Sequence, residues 1–335
     1  MPHRPLLLSL ALLAACAPRS SVPPAPTLNV PASGETAPVG TSNADAADDP
    51  AIWRNPENPA ASLIIGTDKK AGLYVYGLDG KVRDFLDAGR VNNVDLADVD
   101  GRLILGASDR NDEANAAVAL FALDPDTAKL TALGTVPAGL GEAYGFCFTP
   151  GSAPLNGFIV LKDGTINQLV FDLAGPPTAR IVRTLKVETQ AEGCIVDAAS
   201  GQLYVAEEDA GIWRFDAATD GATAPTPVAM VDGTRLVDDV EGLAVADGYL
   251  IASSQGDNAY AVYRLADHRY MGRFRISPGR YGATQETDGI EVIAGDFGPD
   301  YPQGLMVAQD GENPPFAQNF KLVSWAAIKQ ALKLD

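Results

Sequence analysis

The stretch LIIGTD at residues 63–68 decides the fold, because five further versions of it follow along the chain. Each version is a short apolar run that ends in small or acidic residues, which is typical of a strand closed by a tight turn. The later copies are LILGASD (103–109), FIVLKD (158–163), LYVAEED (203–209), YLIASSQGD (249–257) and GLMVAQD (304–310). Their spacing of roughly 40–55 residues matches the length of one repeated supersecondary unit.

Each copy lies between two other short strand candidates, and a fourth candidate follows in the first five units. Four strands at this period predict an all-β fold, a six-bladed β-propeller whose blades are four-stranded and antiparallel. The sixth unit changes to helical spacing over residues 324–334, with Trp325, Ile328 and Leu332 on one side, and this predicts a short C-terminal helix. Because a ring must close, we expect the N-terminal segment around residues 36–42 to supply the missing outer strand.

The N-terminus has the pattern of an export signal. An apolar run over residues 6–13 followed by Cys16 favours a lipoprotein-type signal over residues 1–16, with Cys16 as the lipidated residue. An ordinary cleaved signal is the alternative, and the run is shorter than the ~20 residues of a membrane span. Residues 17–42 are rich in Pro, Ala, Ser and Thr and predict a flexible linker, while residues 43–335 predict a single propeller domain. We expect an exported protein, either a periplasmic or outer-membrane lipoprotein or an extracellular one, that meets a membrane only through a lipid on Cys16.

Composition excludes some classes of partner. The 335-residue chain has a formal net charge of −18, which excludes nucleic acid because phosphate backbones bind basic surfaces. The two histidines, His3 and His268, lie in the signal and in a predicted loop, which disfavours zinc. Cys147 and Cys194 remain in the propeller, where they form either a disulfide or two small buried apolar residues. We expect a monomer.

The charged residues are predicted to meet at one mouth of the ring. In a blade the start of the first strand and the end of the second lie at the same face, because the two strands are antiparallel. Blades one to three place cations there, and the later blades place mostly carboxylates. Carboxylate oxygens in such numbers suit a hard cation such as Ca²⁺, although a single acid at a strand end is more often part of a solvated turn. The mouth is therefore predicted to be half basic and half acidic.

Several motifs at these positions resemble the β-propeller phytases, which are six-bladed, calcium-dependent enzymes that hydrolyse inositol hexakisphosphate. The matching segments are DAADDPAIW (45–53), GTDKK (66–70), NNVD (92–95), EGC (192–194), AEED (206–209) with IW (212–213), EGL (241–243), SSQG (253–256), TDGI (287–290), VAQDGEN (307–313) and QNFK (318–321). They span essentially the whole predicted domain.

The resemblance implies a role for each matching residue. Phosphate groups would be held by Lys69, Lys70, Arg110, Tyr144 and Lys162, with Asp163 beside them at a position where the family often has Glu. Active-site calcium would be held by Asp48, Glu192, Asp239, Glu241, Asp288 and either Glu207 or Glu208. Structural calcium would be held by Asp49 with the carbonyls of Pro50 and Val94, and separately by the turn with Gln309, Asp310 and Asn313. The residues expected to carry the reaction are Lys69, Arg110, Tyr144, Lys162, Glu192, Glu208 and Asp288.

The function implied by the resemblance is a calcium-dependent phosphomonoesterase of the 3-phytase type, which converts phytate to lower inositol phosphates and phosphate. Calcium would offset the carboxylates, bridge substrate phosphates and lower the pKa of a water that attacks phosphorus. One alternative is a six-bladed calcium lactonase or esterase, which has no use for four cations at the mouth. The other is a non-catalytic calcium-binding surface propeller.

Overall fold

The six sequence repeats fold into a ring of six β-sheets. The computed structural model describes residues 24–42 and 44–335, so the predicted signal and Cys16 lie outside the described part. The strands, in chain order, are β1 (Thr27–Pro31), β2 (Gly34–Glu35), β3 (Ala47–Trp53), β4 (Leu63–Asp68), β5 (Gly72–Gly77), β6 (Val82–Asp87), β7 (Val91–Val99), β8 (Arg102–Asp109), β9 (Ala117–Asp124), β10 (Lys129–Pro137), β11 (Ala143–Phe148), β12 (Asn156–Leu161), β13 (Thr165–Asp172), β14 (Thr178–Lys186), β15 (Ala191–Asp197), β16 (Gln202–Glu207), β17 (Gly211–Asp216), β18 (Thr226–Met230), β19 (Val240–Ala246), β20 (Tyr249–Ser254), β21 (Ala259–Arg264), β22 (Arg269–Ser277), β23 (Ile290–Ala294), β24 (Gly304–Asp310) and β25 (Asn319–Ser324), followed by the helix α1 (Trp325–Leu332).

The blades follow the sequence repeat. Blades one to six are the sheets β3–β6, β7–β10, β11–β14, β15–β18, β19–β22 and β23–β25, and consecutive strands within each blade pair antiparallel. The first strand of each blade packs against the first strand of the next, and β23 packs against β3. The ring is therefore closed, and the predicted six-bladed propeller is confirmed.

The apolar core lies between the blades. Successive side chains of a strand point to opposite faces of its sheet, so each sheet presents an apolar face to both neighbours. Ile65 of blade one packs with Leu105 of blade two, while Ile64, the next residue back, packs with Phe320 of blade six. The remaining buried clusters join the other adjacent blades in the same way.

The N-terminal segment closes the last blade. Strand β2 pairs antiparallel with β25, with Gly34 opposite Leu322 and Glu35 opposite Lys321. This confirms that the segment supplies the outer strand of blade six, but the strand lies at Gly34–Glu35 rather than at residues 36–42. Beyond it the backbone N–H of Val39 donates to the carbonyl oxygen of Gln318 at 3.0 Å, so the segment stays attached after the strand ends.

The linker predicted over residues 17–42 is wrong from Thr27 onward. Strand β1 pairs in parallel with β22 and adds a fifth strand to blade five. Val30 and Val39 are buried, with relative exposures of 2% and 3%. Each is an isolated apolar residue in a Pro- and Ser-rich segment, so its partners on blades five and six are not visible in the local sequence.

The C-terminal helix and the cysteines also have definite positions. Helix α1 is present as predicted, with Trp325 and Ile328 buried against blades five and six. Cys147 of β11 and Cys194 of β15 form a disulfide, which joins the inner strands of blades three and four and settles the open choice. Among the described residues, no helix has the length and apolar character needed to cross a membrane.

Candidate active site

The predicted site residues lie where the inner strands are irregular. Each first strand of blades one to five has a register shift near its start, between Ala47 and Pro50, Val91 and Val94, Ala143 and Gly145, Ala191 and Cys194, and Val240 and Leu243. Extra residues at such bulges leave the regular ladder and can aim their side chains in a new direction. The residues inside these shifts are Asp48, Asp49, Asn92, Asn93, Tyr144, Glu192, Gly193, Glu241 and Gly242.

Two glycines allow these strand starts to approach each other. A Cβ atom at Gly193 would overlap the carbonyl oxygen of Glu241, and one at Gly242 would overlap the carbonyl oxygen of Asp288. The backbone N–H of Gly242 donates to that same Asp288 oxygen at 2.8 Å. The Glu-Gly pairs therefore bring the backbones of Glu192, Glu241 and Asp288 side by side at the centre of the ring.

The acidic cluster is formed by Asp48, Glu192, Glu208, Glu241 and Asp288. Glu192, Glu208 and Glu241 are buried, and each has a carboxylate oxygen within 4.8 Å of an oxygen of the other two. Within the described residues, Oδ1 of Asp48 and Oε2 of Glu241 accept no hydrogen bond, and Oδ2 of Asp48 has only the ammonium of Lys69 nearby, at 3.2 Å. Buried carboxylate oxygens without donors are unfavourable unless a cation lies close to them.

The pKa values of these carboxyl groups are raised, which is consistent with their burial close to one another. Burial first, and neighbouring carboxylates second, raise the pKa of Glu192 and Glu241 well above the usual range. Burial also raises the pKa of Glu208 and Asp239, and raises that of Asp288 to about 7. Such a set remains ionised together when a cation offsets its charge. Because the cluster offers carboxylate oxygens, its residues fit a hard cation such as Ca²⁺.

Lys69 lies among these carboxylates rather than in a separate basic half. Its Nζ is 2.8 Å from Oδ2 of Asp288, 2.9 Å from Oδ2 of Asp45 and 3.2 Å from Oδ2 of Asp48. Burial by itself would lower the pKa of Lys69, but the three carboxylates raise it above its ordinary value, so the ammonium stays charged. The predicted division of the mouth into a basic and an acidic half is therefore corrected at this residue.

Arg110 and Lys162 form the cationic side of the site. The guanidinium carbon of Arg110 is 5.2 Å from the centre of the Tyr144 ring, and Nζ of Lys162 is 4.9 Å from it. Arg110 also forms an ion pair with Glu142 and donates from Nη1 to Oδ1 of Asn92 at 2.7 Å. Tyr144 thus forms a common platform for two cations. Lys70, which directly follows Lys69 in the chain, is exposed.

Two predicted residues are engaged elsewhere. Glu207 accepts hydrogen bonds from the backbone N–H and hydroxyl of Thr189, at 2.6 and 2.7 Å, and from the indole N–H of Trp213 at 2.6 Å. Its carboxylate is satisfied by these donors, so the structure brings Glu208 and not Glu207 into the acidic cluster. Asp163 is exposed and pairs with Lys186 at 3.3 Å, which removes support for a substrate-binding role.

A narrow cavity on the ring axis contains the first predicted structural site. Asp49, Pro50 and Val94 line it together, as expected, and its volume of about 20 Å³ is sufficient for one ion or water. Oδ2 of Asp49 accepts a hydrogen bond from the backbone N–H of Val94 at 2.9 Å. Asp95 and Glu291 also line the cavity, and burial raises their pKa values to about 6 and about 8.

The second predicted structural calcium site does not fit. The side chain of Gln309 is occupied, because its Oε1 accepts from the backbone N–H of Asp288 and its Nε2 donates to the carbonyl of Ala47, both at 3.0 Å. Asp310 Oδ2 and Asn313 Oδ1 lie 3.1 and 3.2 Å from Nζ of Lys321, which is fully buried. The ammonium of Lys321 therefore lies among the predicted ligands, and a calcium ion at this turn would compete with it.

That ammonium also ties down the N-terminal segment. Nζ of Lys321 donates to Oε2 of Glu35 at 2.7 Å and to Oδ1 of Asn319 at 2.9 Å. Glu35 belongs to the outer strand of blade six, so Lys321 joins the two ends of the chain. The predicted calcium ligands Gln309, Asp310 and Asn313 are therefore corrected to parts of an internal polar network.

Several residues near the site have contacts that sequence reasoning did not assign. Asn92 and Asn93 lie next to Glu192, Gln190 donates to Oε1 of Glu208 at 2.7 Å, and Gln255 donates to Oδ1 of Asp288 at 2.6 Å. Asn92, Asn93 and Gln255 stand in motif segments, but their partners are in other blades. Asp45 begins the motif segment at residues 45–53 but received no role, and Glu142 is an ordinary turn acid that no local signal distinguishes.

The fold and the site define the class of this protein: it is a six-bladed propeller with a candidate cation site, the acidic cluster, next to a candidate anion site at Arg110 and Lys162. A sequence model of the family described as Phytase matches residues 4–335, and the chain belongs to this family, as the resemblance predicted. A 3-phytase of Bacillus subtilis (strain 168) is 39% identical over 326 residues, which cover 90% of this chain and 85% of that protein. A chain in the crystal structure of the mitotic checkpoint complex aligns with a TM-score of 0.52 at 14% identity, over 93% of this chain and 88% of that one, which concerns the fold alone.

Proposed function

We propose that this protein is a calcium-dependent phosphomonoesterase that hydrolyses phytate to lower inositol phosphates and phosphate. The observation that carries the proposal is the position of Arg110 and Lys162 beside a buried acidic cluster. Membership of the phytase family and similarity to a Bacillus subtilis 3-phytase support the same substrate. Phytate is a polyanion, so carboxylates without an added cation would repel it.

The acidic cluster accounts for the cation. Asp48, Glu192, Glu208, Glu241 and Asp288 would hold calcium. Glu192, Glu208 and Glu241 have oxygens within 4.8 Å of one another, the charges of Asp48 and Asp288 act on Glu192, and two of the five residues have an oxygen without a donor in the described structure. When bound, calcium supplies charge that offsets the carboxylates, a bridge to phosphate oxygens and a lower pKa for a water molecule.

The remaining groups account for the anion. Arg110 and Lys162 hold equatorial oxygens of the reacting phosphate, where they stabilise negative charge in the transition state. A water oxygen bonds to phosphorus, the bond from phosphorus to the inositol oxygen breaks, and that oxygen takes up a proton. Exposed Lys70 would bind a neighbouring phosphate, the role that the family resemblance implies.

Phosphate release from phytate tests the proposal. The whole chain is assayed with calcium, after chelation, and after calcium is added back. We expect Arg110→Gln to lower kcat/KM about 10²–10³-fold, the usual effect of removing one donor to transition-state charge. Arg102, an exposed arginine at the other end of β8, provides the matched control Arg102→Gln.

Three results would contradict parts of this proposal. Full turnover after chelation would contradict calcium dependence. Lactone or ester hydrolysis without phosphate release would favour a calcium lactonase or esterase. Calcium binding without turnover of any phosphate ester would favour a non-catalytic propeller.

Export of the protein is part of the proposal. The Cys147–Cys194 disulfide supports it, because disulfides persist mainly in oxidising compartments. Cell fractionation combined with fatty-acid labelling, with Cys16→Ser as the comparison, separates a lipoprotein from a secreted protein. Protein in the reducing cytoplasm would contradict export.

A further inference from the structure

The hydrogen bonds of Asn92 join the two halves of the site. We propose that Asn92 is a positioning residue that orients Arg110 and Glu192 together, and so couples anion binding to cation binding. The inference rests on the proposed function for the identity of the two ligands. Its structural basis is independent of that function, because it consists of the contacts of one buried amide.

The side chain of Asn92 is completely buried in the register shift of β7. Its Nδ2 donates to Oε1 of Glu192 at 2.7 Å, and its Oδ1 accepts from Nη1 of Arg110 at 2.7 Å. A carboxamide can donate on one side and accept on the other, whereas a carboxylate lacks the donor and an apolar residue lacks both. The residue type therefore matches its two partners.

Both partners belong to the candidate machinery. Glu192 has a carboxylate oxygen within 4.8 Å of oxygens of Glu208 and Glu241, so its orientation sets part of the cation site. Arg110 lies over the Tyr144 ring and pairs with Glu142, so its orientation sets part of the anion site. If Arg110 or Glu192 shifts, the Asn92 side chain shifts with it, and this alters its hydrogen bond to the other residue.

Coupling of this kind is reciprocal. If an anion at Arg110 improves calcium affinity by some factor, calcium improves anion affinity by the same factor, and typical factors are about 5–150. The chain Arg110, Asn92 and Glu192 is a direct physical route for such coupling, since each link is a hydrogen bond of 2.7 Å.

Asn93 provides a matched comparison within the same register shift. Its Oδ1 accepts from Nδ2 of Asn92 at 3.0 Å. In the opposite amide orientation its nitrogen lies 2.8 Å from Oε1 of Glu192 and 3.0 Å from the carbonyl oxygen of Tyr144 and can donate to both. Asn93 is nearly as buried as Asn92, at 4% exposure. It shares the contact to Glu192, but the hydrogen bond from Arg110 goes to Asn92.

The experiment measures calcium affinity by calorimetry on the whole chain, without and with inorganic sulfate as an unreactive anion. We expect sulfate to tighten calcium binding in the unmodified chain. Asn92→Ala should weaken calcium about 10–100-fold, as for other residues that orient metal ligands, and should abolish the effect of sulfate. Asn93→Ala should weaken calcium but keep the effect of sulfate.

Asn92→Asp is the second variant, because its side chain has the same shape and keeps an acceptor for Arg110. It removes the donor to Glu192 and adds a negative charge that by itself attracts calcium, so the diagnostic result is the loss of the sulfate effect. Thermal unfolding of each variant confirms that it is folded. A sulfate effect of unmodified size in both Asn92 variants would overturn the inference. An unmodified chain that binds no calcium would overturn the proposed function instead, and the coupling with it.

Discussion

Replacing Lys69 by methionine removes an ammonium that lies between carboxylates of blades one and six. Methionine keeps the unbranched shape and most of the volume, so the change is mainly one of charge. Nζ of Lys69 is 3.2 Å from Oδ2 of Asp48 and 2.8 Å from Oδ2 of Asp288. Without it, both carboxylates face each other and Glu192 with no internal cation among the three.

The size of the effect follows from burial. The Asp45 side chain is 65% exposed, so its ion pair contributes at most about 1 kcal/mol. Asp48 and Asp288 have side chains only 1% and 15% exposed. Removing one partner from such buried pairs costs about 3–5 kcal/mol, because a charge is left unpaired. We therefore expect Lys69→Met to lower the free energy of unfolding by about 3–5 kcal/mol without calcium.

Calcium should reverse part of this loss. A cation that binds only the folded state adds about 2.7 kcal/mol when its concentration is 100 times its Kd, but the unmodified chain gains this too, so the difference shrinks only by the variant's gain in calcium affinity. Calcium should also bind more tightly to the variant, because the ammonium no longer repels it from Asp48 and Asp288. Urea unfolding with chelator and with excess calcium measures both quantities.

Lys70→Met is the control for this experiment. Lys70 has the same side chain one position later but is exposed, and surface substitutions of this kind usually change stability by less than about 0.5 kcal/mol. Equal loss of stability by the two variants in chelator would show that the Lys69 ammonium does not stabilise the buried carboxylates. Loss of the same amount by Lys69→Met with and without calcium would contradict the tighter calcium binding expected of this variant.

Three further predictions concern pH and single side chains. Burial raises the pKa of Asp288 to about 7 and that of Glu291 to about 8, above the values of about 4 in an unfolded chain. The contribution of these two groups to stability is therefore fully present below pH 4 and is lost as the pH rises through 7 and 8. The calcium-free protein should therefore unfold at lower urea concentration at pH 8.5 than at pH 5; an unchanged midpoint would contradict the shifts. Glu208→Gln should weaken calcium binding at least about tenfold in calorimetry. Glu207→Gln should leave calcium affinity unchanged and lower the free energy of unfolding by about 1–3 kcal/mol through lost hydrogen bonds. The opposite result would indicate that Glu207 and not Glu208 is the calcium ligand. Lys321→Met should lower unfolding free energy by about 3–5 kcal/mol equally with and without calcium, and rescue by calcium would show that a metal can replace the ammonium.

The six repeats could be predicted because their signal is local. A run such as LIIGTD at residues 63–68 predicts a strand and the turn that ends it from a few adjacent residues. The number of such runs at the repeat period then gives the number of blades. The motif segments likewise predicted most of the acidic cluster, and the ends of the second strands in blades two and three predicted the cations Arg110 and Lys162. Each blade has the same layout, so equivalent positions in the repeat meet at the same mouth.

Tertiary structure decided the contacts between blades. Glu207 and Glu208 are adjacent in sequence, but one is held by Thr189 and Trp213 while the other joins the acidic cluster. Lys69 finds Asp288 across the closure of the ring, 219 residues later in the chain. Such pairings depend on the register shifts and on the close approach of inner strands, which no local pattern of residues records.

The two ends of the chain show the same division. The helical spacing after Ser324 predicted α1, because apolar residues at that spacing form one face of a helix that packs against the core. The segment before residue 42 was predicted to be a linker, although β1 and β2 hold it on blades five and six. Its order comes from partners about 240–290 residues away, including the buried ammonium of Lys321 that binds Glu35. The repeated unit can therefore be read from local residues, whereas the pairing of charged groups depends on closure of the ring.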